Sequence, residues 1–271
     1  MRIVIDKSSL FAMSGQVFER LCNEHDVCLP EVFFYELLTT TPLQRARLFR
    51  KVARAQNRFA LTSDAHTLME REIAMQRPVD IVIDSALQAI DWIYDERLQD
   101  EALNPDEYLE PLGLWREDIA ERLRRFRGRV ERMVQHGFIG IADVVAGDRR
   151  RLNPLTLRLA EDDDSIRRLF TDIWRLSRQL EAPANFGPEY VGFSLLRSEL
   201  LLTLELVATF GAAAAADNPS LENSYCDSEY AAIASHADAF LTRDRQLAGI
   251  FRLLAPRVLC QETTLGLVEI D

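Results

Sequence analysis

Four acidic side chains stand where a folded chain could turn them toward one another. Asp6 directly follows the apolar run RIVI, and Asp244 follows AFLTR. Both runs are short, apolar and bounded by polar residues, which predicts buried parallel strands. In a parallel sheet the carboxyl ends of the strands share one edge, and ligands of open α/β folds bind there. Glu36 lies in EVFFYELLTTT, a helix expected after a second strand, DVCLP. Asp227 lies in SYCDSEYAAIASHA, in the expected first turn of the helix ahead of the Asp244 strand. Carboxylates gathered within a few ångströms repel, so they either take up protons or hold a cation. Oxygen ligands without His or Cys among them point to Mg²⁺ or Mn²⁺. Such an ion beside a phosphate suits hydrolysis by in-line attack, with no covalent enzyme intermediate. Ser8, two residues past Asp6, and Thr242, two before Asp244, offer hydroxyls that could orient these carboxylates.

Each acid also has a plainer role. Asp244 is a good N-cap for a helix starting at Arg245. Ser224-x-x-Asp227 resembles a capping box with Asp in place of Glu. Glu36 alone reads as a helix-surface acid. Asp6 is the hardest to dismiss, because it directly follows a buried strand. The four taken together, in this order, favour a metal site. For Glu199, Glu205 and Glu229 a structural or solvent role is the better expectation. The four histidines show no ligand spacing such as H-E-x-x-H, and Cys226 reads as a small buried side chain.

The elements that must position these residues alternate at both ends of the chain. RIVI, DVCLP, RFALT (58 to 62), AFLT and RVLC read as strands. Helices are expected over 9 to 23, 31 to 41, 43 to 57, 64 to 76 and 195 to 216, in SYCDSEYAAIASHA and in DRQLAGIFRLL. Strands alternating with helices imply a parallel sheet with right-handed crossovers. From Pro78 to about residue 190 the strand signal fades and helical periodicity takes over, as in EDIAERLRRFRGRVERMV. The division expected is therefore a core in two parts, 1–76 and 195–271, around a helical insertion at 77–194. No fixed-period repeat occurs, which excludes a solenoid.

Composition narrows the class. The 271 residues carry a net charge of −11, with 48 % hydrophobic and 28 % charged residues. That balance is ordinary for a globular protein and argues against a general coat for polyanions, though a local basic stripe can act inside an acidic chain. Four cysteines with no C-x-x-C pair suggest reduced thiols in a cytosol. The start, MRIVIDKSS, has no signal-peptide pattern. The stretch LLLTLELVATFGAAAAA is short for a bilayer span and carries Glu205, so a core helix is expected and no membrane.

IVIDKSSL, LPEVFFYELLTT and CDSEYAAIASHADAFLTRDRQL together resemble the PIN-domain family of nucleases. With RFALT and the 195–216 helix, the resemblance spans roughly residues 1 to 76 and 195 to 271. By motif it places the family's acids on Asp6, Glu36, Asp227 and Asp244, with Ser8 and Thr242 in supporting positions. It implies a doubly wound parallel sheet, here with a large α-helical insertion. It further implies Mg²⁺- or Mn²⁺-dependent cleavage of RNA phosphodiesters in the cytoplasm. Many bacterial members are toxins of toxin–antitoxin pairs, so an antitoxin or another protein is the partner to expect, with a homodimer as a further possibility. Two departures stand out. Lys7 occupies a place where a small hydroxyl residue is usual, and would neutralise the acids, contact a phosphate or point outward. The insertion is far longer than in the small toxin members.

Basic residues supply candidate backbone contacts. Arg47, Arg50, Lys51 and Arg54 share one helical face, and Arg124, Arg125 and Arg127 lie in a second basic run. The alternative for the second run is a solvated face with ion pairs to Asp118, Glu121 and Glu131. The rival to the nuclease is a PIN-like module that binds nucleic acid or protein without cutting. A nuclease acting on structured DNA is a third reading. A haloacid-type phosphatase would need an Asp where Ser8 stands.

Overall fold

The computed structural model describes residues 1–55, 58–82, 95–104, 110–135, 158, 161–171 and 182–262. Five strands form one sheet, all parallel: β1 (Arg2–Ile5), β2 (Asp26–Pro30), β3 (Phe59–Thr62), β4 (Ala239–Leu241) and β5 (Leu259–Gln261). Their spatial order is β3-β2-β1-β4-β5. The chain thus builds outward from β1 to one edge, then returns to the other side of β1. Right-handed crossovers in opposite directions place helices on opposite faces. Burial agrees: Ile3, Val4, Ile5, Val27, Cys28 and Leu29 are all 0 % exposed. Since successive strand residues point to opposite faces, both faces of the central strands are covered. This is an α/β fold, as the alternation predicts.

Eleven α-helices accompany the sheet among the described residues. They are α1 (Lys7–Ala12), α2 (Gly15–Glu24), α3 (Glu31–Thr39), α4 (Pro42–Arg54), α5 (Ala65–Met75), α6 (Glu110–Gln135), α7 (Asp163–Leu169), α8 (Val191–Phe210), α9 (Ala212–Ala215), α10 (Leu221–Ala234) and α11 (Arg245–Leu254). The single helix expected over 9 to 23 is two. The Ser14 hydroxyl accepts the Val17 N–H and starts a second helix, an N-cap that apolar spacing alone conceals. The helix carrying Asp227 starts at Leu221, after Asn218-Pro219, so Ser224 lies inside it rather than at its cap. The last strand lies slightly later than RVLC, at Leu259–Gln261. Most of the stretch 80 to 98, expected to be helical, falls outside the described residues.

Contacts divide the chain into two compact units. The first comprises Met1–Asp64, Asp80–Glu117 and Ile233–Asp271 and contains the whole sheet. The second comprises Ala65–Val79 and Asp118–Ala232. Within the second unit, α5 and α8 pack closely. A Cβ on Gly192 would lie 2.2 Å from Met69 Cγ, so only glycine fits there. Glu72 of α5, 0 % exposed, accepts the N–H groups of Val191 (2.8 Å) and Gly192 (2.9 Å), the first turn of α8. The neighbouring helix thereby supplies a cap that Tyr190 does not. α8 is buried along most of its length, the core role expected of its sequence. No helix among the described residues is long and apolar enough to cross a membrane.

Burial pushes the Glu72 carboxyl up from 4.5 to about 7, against the lowering effect of its backbone donors. A raised folded-state value favours folding below the unfolded value and loses that contribution as pH rises through the folded one. The protein should therefore lose about 3 kcal/mol between roughly pH 4.5 and pH 8 relative to Glu72→Gln, at 1.36 kcal/mol per unit. Urea unfolding of both proteins across that range measures the difference.

Candidate functional site

The reversal of strand order falls between β1 and β4, and their carboxyl ends carry the predicted residues. Asp6 leaves β1 and caps α1, accepting the Ser9 N–H at 2.8 Å. Its other donors are the predicted hydroxyls. Ser8 Oγ lies 2.7 Å from Asp6 Oδ2, and Thr242 Oγ1 lies 2.6 Å from the same atom. The two turns interlock further: the Arg243 N–H donates to Ser8 Oγ (2.9 Å) and the Asp244 N–H to Thr242 Oγ1 (3.0 Å). Three hydrogen-bond donors thus fix the rotamer of a carboxylate that is only 4 % exposed.

Burial pushes the Asp6 carboxyl above the usual carboxylate range. The Thr242, Ser9 and Ser8 donors oppose that shift, and the nearby Glu36 carboxylate adds to it. Asp6 and Glu36 are therefore within electrostatic reach of each other. Glu36, on α3, holds the Lys7 ammonium at 2.9 Å. Lys7 does neutralise part of the acidic rim, one of the roles its position allowed.

Asp244 caps α11, its Oδ1 accepting from the Gln246 (2.8 Å) and Leu247 (2.9 Å) N–H groups. Asp227 lies in α10, half-buried, in the second unit. Among the described residues of the first unit, no three His, Cys, Asp or Glu side chains bring ligand atoms within 4.8 Å of one another. The donors at the rim are nonetheless the right kind for a hard cation. Mg²⁺ is commonly held by one or two carboxylates, with water and phosphate oxygens completing its shell. Asp6 and Glu36 fit that pattern.

Next to these groups opens a cavity of about 500 Å³, lined by Lys7, Ser8, Phe11, Ala12, Thr40, Gln44, Leu48 and Arg243. Its polar wall is cationic and hydroxylic. Phe11 is 48 % exposed.

The basic residues of α4 divide in their roles. Arg47 is exposed. Arg50 donates to the Gln99 carbonyl and pairs with Glu101 at 3.7 Å. Arg54 packs over Gly15. Lys51 turns inward, donating to the carbonyls of Leu10 (2.9 Å), Phe11 (3.0 Å) and Met13 (2.8 Å). These are the unsatisfied carbonyls at the end of α1, so Lys51 closes that helix instead of facing a backbone phosphate. Lys51→Met should cost about 1.5–3 kcal/mol and speed amide exchange in α1. Thermal unfolding and hydrogen-exchange mass spectrometry provide the check. In α6, Arg124 and Arg125 both pair with Glu121 (2.7 and 3.0 Å), the intrahelical arrangement weighed for that run, while Arg127 is exposed.

A buried polar network in the second unit has no sequence signal. Arg129 Nε donates to Glu199 Oε2 at 2.7 Å, and its Nη2 contacts Glu199 Oε1. The same Nη2 lies 3.1 Å from His66 Nε2, and His66 Nδ1 lies 2.6 Å from Glu229 Oε1. Glu229 also accepts the Ala65 N–H. Arginine only donates, so His66 accepts at Nε2 and carries its proton on Nδ1. Glu199 and Glu229 are both buried, each held by these partners. None of the four cysteines forms a disulfide.

No family model matches the chain. No curated protein matches it, and neither does any solved structure.

Proposed function

We propose that this protein is a divalent-metal-dependent nuclease with a PIN-like core, acting on RNA at the carboxyl edge of its sheet. The observation that carries the reading is Asp6: a buried carboxylate at the point where strand order reverses, oriented by Ser8 and Thr242. Ligands of open α/β sheets bind at that point. Asp6 and Glu36 would hold Mg²⁺ or Mn²⁺, with Asp244 as a further ligand. When bound, the ion would neutralise charge on a phosphodiester and favour its hydrolysis. The chain's own groups do the rest. Ser8 and Thr242 hold the Asp6 carboxylate in one rotamer, and Lys7 and Arg243 offer cations to the phosphate. Arg47, Arg50 and Arg54 could extend the contact along the backbone. A role as a toxin restrained by a partner protein belongs to this reading too.

The Lys7–Glu36 ion pair favours one alternative, since an ammonium already supplies positive charge beside the acids. On that reading the module binds nucleic acid without cutting it. The deciding experiment incubates the purified protein with labelled RNA in Mn²⁺, Mg²⁺ or EDTA, alongside calorimetric titration with Mn²⁺. Cleavage that EDTA stops, together with Mn²⁺ uptake, supports the nuclease. RNA binding with neither leaves the binding module.

A further inference from the structure

The cavity beside Asp6 has a composition that the cleavage chemistry alone does not require. One wall is ionic and hydroxylic, with Lys7, Arg243 and Ser8; the opposite character comes from Phe11. The Phe11 ring is held rather than loose. Lys51 Nζ bonds its own backbone carbonyl and sits 5.9 Å from the ring centroid. Gln44 is oriented as well: the Thr40 hydroxyl donates to its Oε1 at 2.7 Å, and among the described residues nothing accepts from its Nε2. A fixed aromatic face, an oriented amide and two cations make a set suited to one nucleotide. The ring stacks a base, the amide reads its edge and the cations hold the phosphate. A volume of about 500 Å³ suits a nucleotide-sized ligand and is far too small for a duplex.

We infer that this cavity takes one unpaired nucleotide of a single-stranded RNA, its base stacked on Phe11 and its phosphate between Lys7 and Arg243. The inference rests on the nuclease reading and adds to that site a base-stacking residue, Phe11. Phe11 is a binding residue here, distant in role from the acids.

The test measures binding by fluorescence anisotropy in EDTA, using short labelled single-stranded RNA, the same RNA annealed to its complement, and single-stranded DNA of that sequence. Phe11→Ala should raise Kd for the single-stranded RNA by about 5- to 100-fold, the worth of one stacked base, with little change for the duplex. Phe11→Trp should restore affinity, and its added indole fluorescence should be quenched by the single strand. Arg243→Ala should weaken binding and lower the salt dependence by about one phosphate contact. Comparable affinity for single-stranded DNA would assign recognition to base and phosphate; weaker binding would add the ribose hydroxyl, and either keeps the stacked base. The inference is overturned if Phe11→Ala binds single strands like the wild type, or if duplex and single strand lose affinity equally. Cleavage is scored separately in Mn²⁺, on wild-type protein and on Phe11→Ala. Its absence alongside Phe11-dependent binding removes the nuclease and keeps the subsite, whereas cleavage insensitive to Phe11 does the reverse.

Discussion

Asp6→Asn should lower metal-dependent RNA cleavage by about a thousandfold and leave the protein folded. The amide keeps an oxygen for the Ser9 N–H, and the Ser8 and Thr242 hydroxyls can rotate to accept from its nitrogen. Burying a neutral amide also avoids the desolvation that pushes the Asp6 carboxyl up. Stability should therefore change by no more than about 1 kcal/mol. The lost negative charge is another matter. A cation at the reacting phosphate is worth several kcal/mol, and about 4 kcal/mol corresponds to three decades of rate. Thr242→Val, which removes one orienting donor, should cost only about 10- to 100-fold. Rates in saturating Mn²⁺, with circular dichroism as the control for folding, decide the matter. Equal rates for wild type and Asp6→Asn would end the nuclease reading. The raised Asp6 carboxyl adds a pH signature: cleavage should rise with pH as the group ionises, and Asp6→Asn should lack that rise.

The second large effect is structural. Arg129→Met should destabilise the protein by about 3–5 kcal/mol, because it leaves the Glu199 carboxylate, 1 % exposed, without its guanidinium. The loss is not the worth of the ion pair itself. Replacing both partners with apolar side chains of similar volume is often neutral. The double variant Arg129→Met/Glu199→Leu should thus recover most of the stability lost by the single change. Urea unfolding of the three proteins gives the cycle. A single variant as stable as wild type would mean that water reaches Glu199 when the arginine is gone.

Local pattern carried the fold far. RIVI, DVCLP, RFALT and AFLT all form strands within a residue of expectation, because a buried parallel strand is a short apolar run and little else. The two hydroxyls that orient Asp6 were also legible, since each stands two residues from an acid at a strand end. What escaped depends on partners far along the chain. His66, Arg129, Glu199 and Glu229 meet across separations of 63 to 163 residues, and no periodicity announces such a meeting. Lys51 shows a related limit. Its spacing places it on a face with Arg47 and Arg54, but spacing cannot say whether that part of the face looks outward or onto the end of α1. Asp227 was placed one turn too near its helix start, because Asn218-Pro219 reads equally well as the close of one helix or the opening of the next.

One consequence of the strand order concerns how the molecule comes into being. Thr242 and Asp6 touch across 236 residues. A ribosome adding about 5–20 residues per second therefore delivers β1 roughly 10–50 seconds before the strand that completes its neighbourhood. Through that interval the nascent chain displays an acid whose orienting hydroxyl has not yet been made. A product truncated before β4 would therefore carry Asp6 without the Thr242 donor.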